Sequence, residues 1–256
     1  MDIVCSVQGD IGFVSIERPE RRNALSLSLW RQLRAILGDC EVDPAVRCVI
    51  LSGAGGNFCA GADISEFSQV RTGPQDALEY DRELGHCLEL AMSMSTPIVA
   101  AIEGNCFGGG VALACACDFR VAGQGARFAI PAARLGTIYP KIAMQALQSV
   151  ISAATCRRML MLGAVLPSSE ALSVGLIDYL DDQPMPHAQA LASKLSRAAP
   201  LSIAGTKLAL YSRCQPEMPG LDEKLDGLVA QAFQSRDYAE GIDAFLNKRS
   251  PNFAGV

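Results

Sequence analysis

The sequence predicts an α/β protein on three observations. A strand, a glycine-rich loop and a helix follow one another from Val46, and the same order returns from Pro97. Half of the residues are hydrophobic and only 19% are charged, so the chain can bury a large core. Helical periodicity then fills most of the chain beyond Leu180.

Residues 3–7 and 11–16 are apolar, partly alternating runs split by Gln8-Gly9-Asp10, which is a β-hairpin pattern. After Pro19 and Asn23, Leu29, Leu33 and Leu37 with Trp30 and Ile36 recur at helical spacing, so a helix is expected from about Ser26 with one face in the core. Residues 46–51 read as a strand, 53–61 as a glycine-rich loop, and 74–94 as a long helix whose first turn suits Pro74. The second unit is a strand over 97–102, a loop with Gly104 and Gly108-Gly109-Gly110, and a small-residue helix from Val111. Short strands are expected at 118–122 and 126–130, helices from Pro140 and about Ala153, and a last strand over 176–180. Beyond it the pattern is helical, with Pro184, Pro186, Pro200, Pro216 and Pro219 as breaks. The expected division is a core over 1–195 and a helical C-terminal segment over 196–256.

Composition excludes several function classes. Lys plus Arg number 22 against 27 Asp plus Glu, a net charge of −5, and Arg31, Arg34 and Arg71 are too sparse for a basic face, so no nucleic-acid partner is expected. The N-terminus has no basic segment followed by an apolar one, and no run approaches the ~18 apolar residues of a spanning helix, so a soluble cytoplasmic protein with no membrane partner is expected. The ten cysteines include no Cys-x-x-Cys pair and read as buried thiols. His86 and His187 lie far apart and Cys115-Ala116-Cys117 has no companion pair, so no metal is expected.

The two glycine loops are where chemistry is expected. Phe58-Cys59-Ala60-Gly61-Ala62-Asp63-Ile64 and Gly104-Asn105-Cys106-Phe107-Gly108-Gly109-Gly110 each lie between a strand and a helix. Glycine lets a backbone approach a ligand closely, and helix starts carry unpaired N–H groups that hold an oxygen gaining negative charge. Neither loop has the dinucleotide or phosphate-loop pattern, and each taken alone also reads as a tight turn.

Together with Pro19-Glu20-Arg21-Arg22-Asn23-Ala24-Leu25, Pro97-Ile98-Val99-Ala100-Ala101-Ile102-Glu103-Gly104, Cys117-Asp118, Leu135-Gly136 and Phe245-Leu246-Asn247-Lys248-Arg249, these loops make the chain closely resemble the crotonase, or enoyl-CoA hydratase/isomerase, family over essentially its whole length. The resemblance implies a spiral of ββα turns with a helical C-terminal segment that assembles trimers or hexamers. It implies an acyl-CoA substrate, with coenzyme A entering as part of the substrate and no other cofactor. By the same resemblance the backbone N–H groups of Ala62 and Gly109 form an oxyanion hole for the thioester enolate. Arg22, Asn23 and Ala24 would follow the CoA phosphates and pantetheine, Ala60, Asp63 and Ile64 the adenine end, and Phe245 and Lys248 would reach a CoA site, often a neighbouring subunit's.

The chain departs from the family where hydratases carry two glutamates. Those positions hold Ala112 and Ala132, which can neither activate water nor return a proton to carbon. Tyr139 and Lys141 flank Pro140, and Tyr139 falls where methylmalonyl-CoA decarboxylases of this family carry a tyrosine, although that branch has a histidine in place of Ala62. Tyr139 is thus a candidate for catalysis or a buried tyrosine with a partner. Glu66 reads as a pocket base or a helix-dipole partner, and His86 as a pocket residue or an ordinary helical histidine. Asp118 and Glu103 read as structural, while Asp178 has no evident partner. The readings that stay open are an enolate-stabilising enzyme with altered acid/base groups, a decarboxylase or hydrolase using Tyr139, and a noncatalytic acyl-CoA binding scaffold. Crotonyl-CoA hydration is expected to fall well below a turnover of ~10 per second in a steady-state absorbance assay; a rate at that level would mean that other residues supply both proton transfers.

Overall fold

The structure, a computed structural model, describes residues 2–212 and 220–255; Cys214, Pro216 and Pro219 lie outside the described residues. β1 (Ile3–Gln8) and β2 (Ile11–Ile16) form the expected antiparallel hairpin, with Gly9 in the left-handed region at the turn. α1 (Leu27–Val42) begins at Ser26, whose hydroxyl accepts the Leu29 N–H at 3.3 Å, and buries Leu29, Trp30, Leu33 and Leu37. β3 (Cys48–Gly53) runs parallel to β2, and α2 (Phe67–Val70) and α3 (Pro74–Ser93) follow it.

The next turn of chain is β4 (Ile98–Ile102), β5 (Asn105–Phe107) and α4 (Gly109–Ala116). Another is β6 (Phe119–Ala122), β7 (Arg127–Ala129) and α5 (Ala132–Leu135). α6 (Lys141–Val150), α7 (Ala153–Leu162), β8 (Val165–Pro167), α8 (Ser168–Ser173) and β9 (Tyr179–Leu180) come next. The C-terminal helices are α9 (Pro184–Ser196), α10 (Pro200–Ser212), α11 (Leu221–Gln234) and α12 (Arg236–Leu246).

The large sheet has the order β1-β2-β3-β4-β6-β9 and the small one β5-β7-β8. Two backbone bridges, Leu25 to Ala62 and Cys59 to Cys106, continue the pairing beyond β5. Successive turns therefore place one strand in the large sheet, one segment in the second layer and one helix outside, which is a ββα spiral. The main core lies between the large sheet and α1, α3 and α4. On the sheet's other face, Ala188 and Ala192 of α9 cover Cys48, Ile50, Val99 and Val121.

Several expectations change in detail. β5 and β8 were not expected from the sequence; each is only three residues long, too short for an alternating pattern to stand out. The strand expected over 176–180 shrinks to Tyr179–Leu180, because the Leu176 and Ile177 N–H groups both bond the Ala171 carbonyl and cap α8 instead of joining a ladder. α4 starts at Gly109, two residues earlier than Val111. Pro184 and Pro200 begin helices and Pro186 lies in the first turn of α9, where a missing N–H costs little.

Buried charges tie these layers together. Lys207 of α10 donates to Asp118 Oδ2 at 2.6 Å and to the Thr96 carbonyl at 3.1 Å, while the same Oδ2 accepts the Ile98 N–H at the start of β4. Asp178 does have a partner: its Oδ2 lies 2.8 Å from Arg120 Nη2 and also accepts the Arg120 N–H. The nine described cysteines are free thiols and only Cys5 is exposed. Burial pushes the thiols of Cys40, Cys48, Cys59, Cys87 and Cys115 up to about 12.

Lys207→Met leaves the Asp118 carboxylate without its cation. Because that carboxylate is 22% exposed, the expected loss is about 2 to 3 kcal/mol, at or below the lower end for a broken buried pair, read as a lower urea midpoint with unchanged slope.

Candidate active site

The site grows from three backbone segments locked side by side. In the first, the Asn23 amide donates to the Ala54 and Asn57 carbonyls at 2.8 and 2.6 Å, and its oxygen accepts the Arg18 N–H at 2.9 Å. Asn23 sits in the left-handed region at φ 59°, which asparagine tolerates better than most residues. The second segment is bonded to the first through Ala60 N–H to Arg22 O, Leu25 N–H to Gly61 O and Asp63 N–H to Leu25 O. The last two bonds point Gly61 O and Asp63 N–H toward Leu25 and so turn the Ala62 N–H to the opposite side.

The third segment joins through Cys59 N–H to Asn105 O and Phe107 N–H to Cys59 O. Gly61, at φ +93°, is where the second and third meet: a Cβ there would stand 2.7 Å from Phe107 O and 2.9 Å from Gly109 N. The glycine is therefore required, and it brings the Ala62 and Gly109 amides to the same place. A Cβ on Gly109 would in turn meet Trp30 of α1 at 3.0 Å and Leu84 of α3 at 3.6 Å.

Ala62 and Gly109 line a cavity of about 100 Å³ walled by α3, by the β7–α5 junction and by the segment 137–140. Ala60, Ala62, Ile64, Gly109, Ala132 and Tyr139, all expected site positions, line it. Arg71 and Asp81 line it too, with Arg71 Nη1 3.0 Å from Asp81 Oδ1 and the guanidinium 4.9 Å from the Phe67 ring centre and 5.3 Å from that of Tyr80. Burial raises the Asp81 carboxyl above its ordinary value, with Arg71 opposing the shift. A larger cavity of about 770 Å³ between α4, α6 and α10 touches neither glycine loop.

Other expected residues are placed elsewhere. Asn23 is fully enclosed and its side-chain groups are occupied within the loop, so it has no surface to offer a ligand; it shapes the segment instead. Asp63 is 7% exposed; burial opposes its charge, but hydrogen bonds from Ser65 and the Arg18 guanidinium outweigh that and hold its carboxyl below the usual range. Arg22 is exposed beside these segments and Ala24 is buried under them. Phe245 is 84% exposed and Lys248 exposed at the end of α12, and neither lines the cavity. Ala112 is fully buried in α4 and does not itself line the cavity, whereas Ala132 does.

Tyr139 donates its hydroxyl to the Gly108 carbonyl at 3.0 Å, and burial pushes its pKa well above the tyrosine range. Glu66 accepts the Leu27 N–H at 2.6 Å, so it serves the start of α1 rather than the cavity, and burial raises its carboxyl. His86 Nδ1 lies 3.1 Å from Arg34 on the α1–α3 seam. Sequence reasoning missed Arg18, Arg71 and Asp81 as site residues. Arg18 meets Asp63 across 45 positions, which no local pattern reveals, but Asp81 had a signal: it is a charge on the apolar stripe of Tyr80, Leu84 and Leu88.

Among the described residues no group of three or more His, Cys, Asp or Glu is placed to hold a metal, and no helix is long and apolar enough to cross a membrane.

A ββα spiral with two glycine-framed amides over a small cavity defines a class, and the chain belongs to the enoyl-CoA hydratase/isomerase (crotonase) family, whose model matches residues 6–256. Among its relatives is the "Probable enoyl-CoA hydratase" of Bacillus subtilis, 34% identical over 99% of this chain and 98% of that protein. The (E)-benzylidenesuccinyl-CoA hydratase of Thauera aromatica is 32% identical over the full length of both. The crystal structure of an enoyl-CoA hydratase/carnithine racemase from Magnetospirillum magneticum superposes with a TM-score of 0.92 at 31% identity, covering 100% of this chain and 96% of that one.

Gly61→Ala is expected to lose more than about 2 kcal/mol of stability, from a strained φ together with a backbone clash, and to separate the two loops. Calorimetric melting measures the first effect, and weaker acyl-CoA binding the second. Tyr139→Phe leaves Gly108 O without one partner and should cost about 1 kcal/mol in the same assay.

Proposed function

We propose that the protein binds an acyl-CoA thioester with its carbonyl oxygen between the Ala62 and Gly109 N–H groups and stabilises the enolate of the acyl group. The observation that supports this reading is the close approach of Gly61 to the Gly109 nitrogen, with Ala62 and Gly109 both lining one cavity. Fixed donors need no reorganisation as charge develops, and each is worth about 3 to 4 kcal/mol in a transition state. Membership of an acyl-CoA enzyme family supports the substrate class.

Ordinary hydration is not the expected activity. Ala132 presents a methyl group to the cavity and Ala112 lies outside it, so the glutamate pair of a hydratase has no counterpart at either position. A second reading is decarboxylation of a carboxyacyl-CoA, favoured because losing carbon dioxide needs an enolate hole more than a base. In it Tyr139 acts by holding Gly108 O, and with it the Gly109 amide, rather than by transferring its tightly held proton.

The exposed Arg22 fits the phosphate end of CoA. A homotrimer or a hexamer of two trimers suits the C-terminal segment: α11 buries no side chain, and Val229, Phe233, Ile242, Phe245 and Leu246 stand exposed on α11 and α12. A second copy covering that face would bring Phe245 and Lys248 toward a neighbouring site. Light scattering should then give a mass of three or six chains, and a monomer would remove this part of the reading.

Mass spectrometry of enoyl-, malonyl- and methylmalonyl-CoA incubated with the protein tests the reaction. Loss of carbon dioxide supports the decarboxylase reading and a shifted double bond an isomerase. Binding without any product supports a noncatalytic scaffold, and absence of binding to every thioester overturns the proposal.

A further inference from the structure

Four titratable side chains line the small cavity, and three are committed elsewhere. Tyr80 donates its hydroxyl to Leu25 O at 3.2 Å, and Tyr139 donates to Gly108 O at 3.0 Å. Arg71 is a permanent cation held against two aromatic rings. Asp81 is the fourth, and it is the one carboxylate among the described residues of the lining. Its Oδ1 faces Arg71 at 3.0 Å, whereas Oδ2 accepts no hydrogen bond from any described residue.

Its place on α3 aims it at the right region. Leu84, three residues further on and thus on the same helix face, reaches to 3.6 Å from the Cβ position of Gly109. Asp81 lies one such step away, about 4.5 Å along the helix axis, on the same cavity wall. Arg71 fixes one carboxylate oxygen and leaves the other free to act.

We propose that Asp81 is the proton-transfer group of this site, its Oδ2 taking a proton from the acyl carbon next to the thioester carbonyl. The inference rests on the enolate reading above. In the step the C–H bond breaks and its proton goes to Oδ2. Its electron pair forms the carbon–carbon double bond of the enolate as the carbonyl π pair moves onto oxygen, between the Ala62 and Gly109 N–H groups. Returning the proton to the same carbon gives exchange; returning it two carbons further along an unsaturated chain moves the double bond. No co-reactant is consumed. Burial strengthens the base by raising its pKa, with Arg71 opposing the shift. The chemistry that Ala112 and Ala132 cannot perform is thereby assigned to a side chain of α3.

The test is deuterium uptake from heavy water into the acyl chains of butyryl-CoA and 3-butenoyl-CoA, followed by mass spectrometry, with dissociation constants measured in parallel on the full chain. Wild type is expected to exchange and Asp81→Asn to lose at least ~100-fold in rate, with the dissociation constant within threefold. Exchange within tenfold of wild type in that variant overturns the role of Asp81 and leaves the enolate reading standing. Binding without exchange in wild type overturns the proposal as well. Failure of wild type to bind either thioester overturns the reading beneath it. Should the Asn variant not fold, Asp81→Glu, which moves the carboxylate along the wall, is expected to slow exchange at least tenfold at unchanged affinity; an unchanged rate counts against the proposal.

Discussion

The close approach of Gly61 to the Gly109 amide is the constraint on which the rest of this structure depends. No side chain fits at Gly61, so the two loops meet there backbone to backbone. The requirement spreads outward from there. Gly110 presses on the Cys59 carbonyl, where a Cβ would stand 2.3 Å away, and Trp30 fills the space beside Gly109. α4, which follows, is buried on every face and therefore made of small and apolar residues. A helix so enclosed has little room for an ionised side chain, which accounts for an alanine at position 112 in packing terms as well as chemical ones.

The carboxylates divide by what they accept. Glu41, Asp63, Glu66, Asp118 and Asp178 each take a backbone N–H at the start of a helix, strand or turn, from Thr96, Ser65, Leu27, Ile98 and Arg120 respectively. These groups fasten ends of elements that would otherwise leave donors unpaired. Three of them also meet a cation from a distant part of the chain: Arg18 for Asp63, Lys207 for Asp118 and Arg120 for Asp178. Asp81 differs from this set because its partner is a side chain and its surroundings are a cavity. Among these six, five complete the backbone and Asp81 does not.

Periodicity made the long elements legible. Leu29, Leu33 and Leu37 marked α1, Pro74 marked the first turn of α3, and Gln8-Gly9-Asp10 marked the hairpin. The two glycine loops were legible as a pair because their spacing between strand and helix repeats, and both proved to flank one cavity. What stayed hidden is set by distant partners. Nothing near Asn23 announces that it holds Ala54 and Asn57, and nothing near Asp178 names Arg120, 58 positions away. Tyr139 could be placed near the loop from its position after Leu135-Gly136, but the acceptor of its hydroxyl is a main-chain oxygen 31 residues earlier.

The distribution of sulfur has a practical side. Eight of the nine described cysteines are enclosed, and burial suppresses the thiolate that alkylating and disulfide reagents attack. Native molecules thus present Cys5 from this set, while Cys59 and Cys106 become reactive only when the two loops part and Cys87 only when α3 lifts from the core. Mapping which thiols acquire a label, and in what sequence, turns the chain into its own recorder of partial opening, with the loop junction and the helix wall separately resolved.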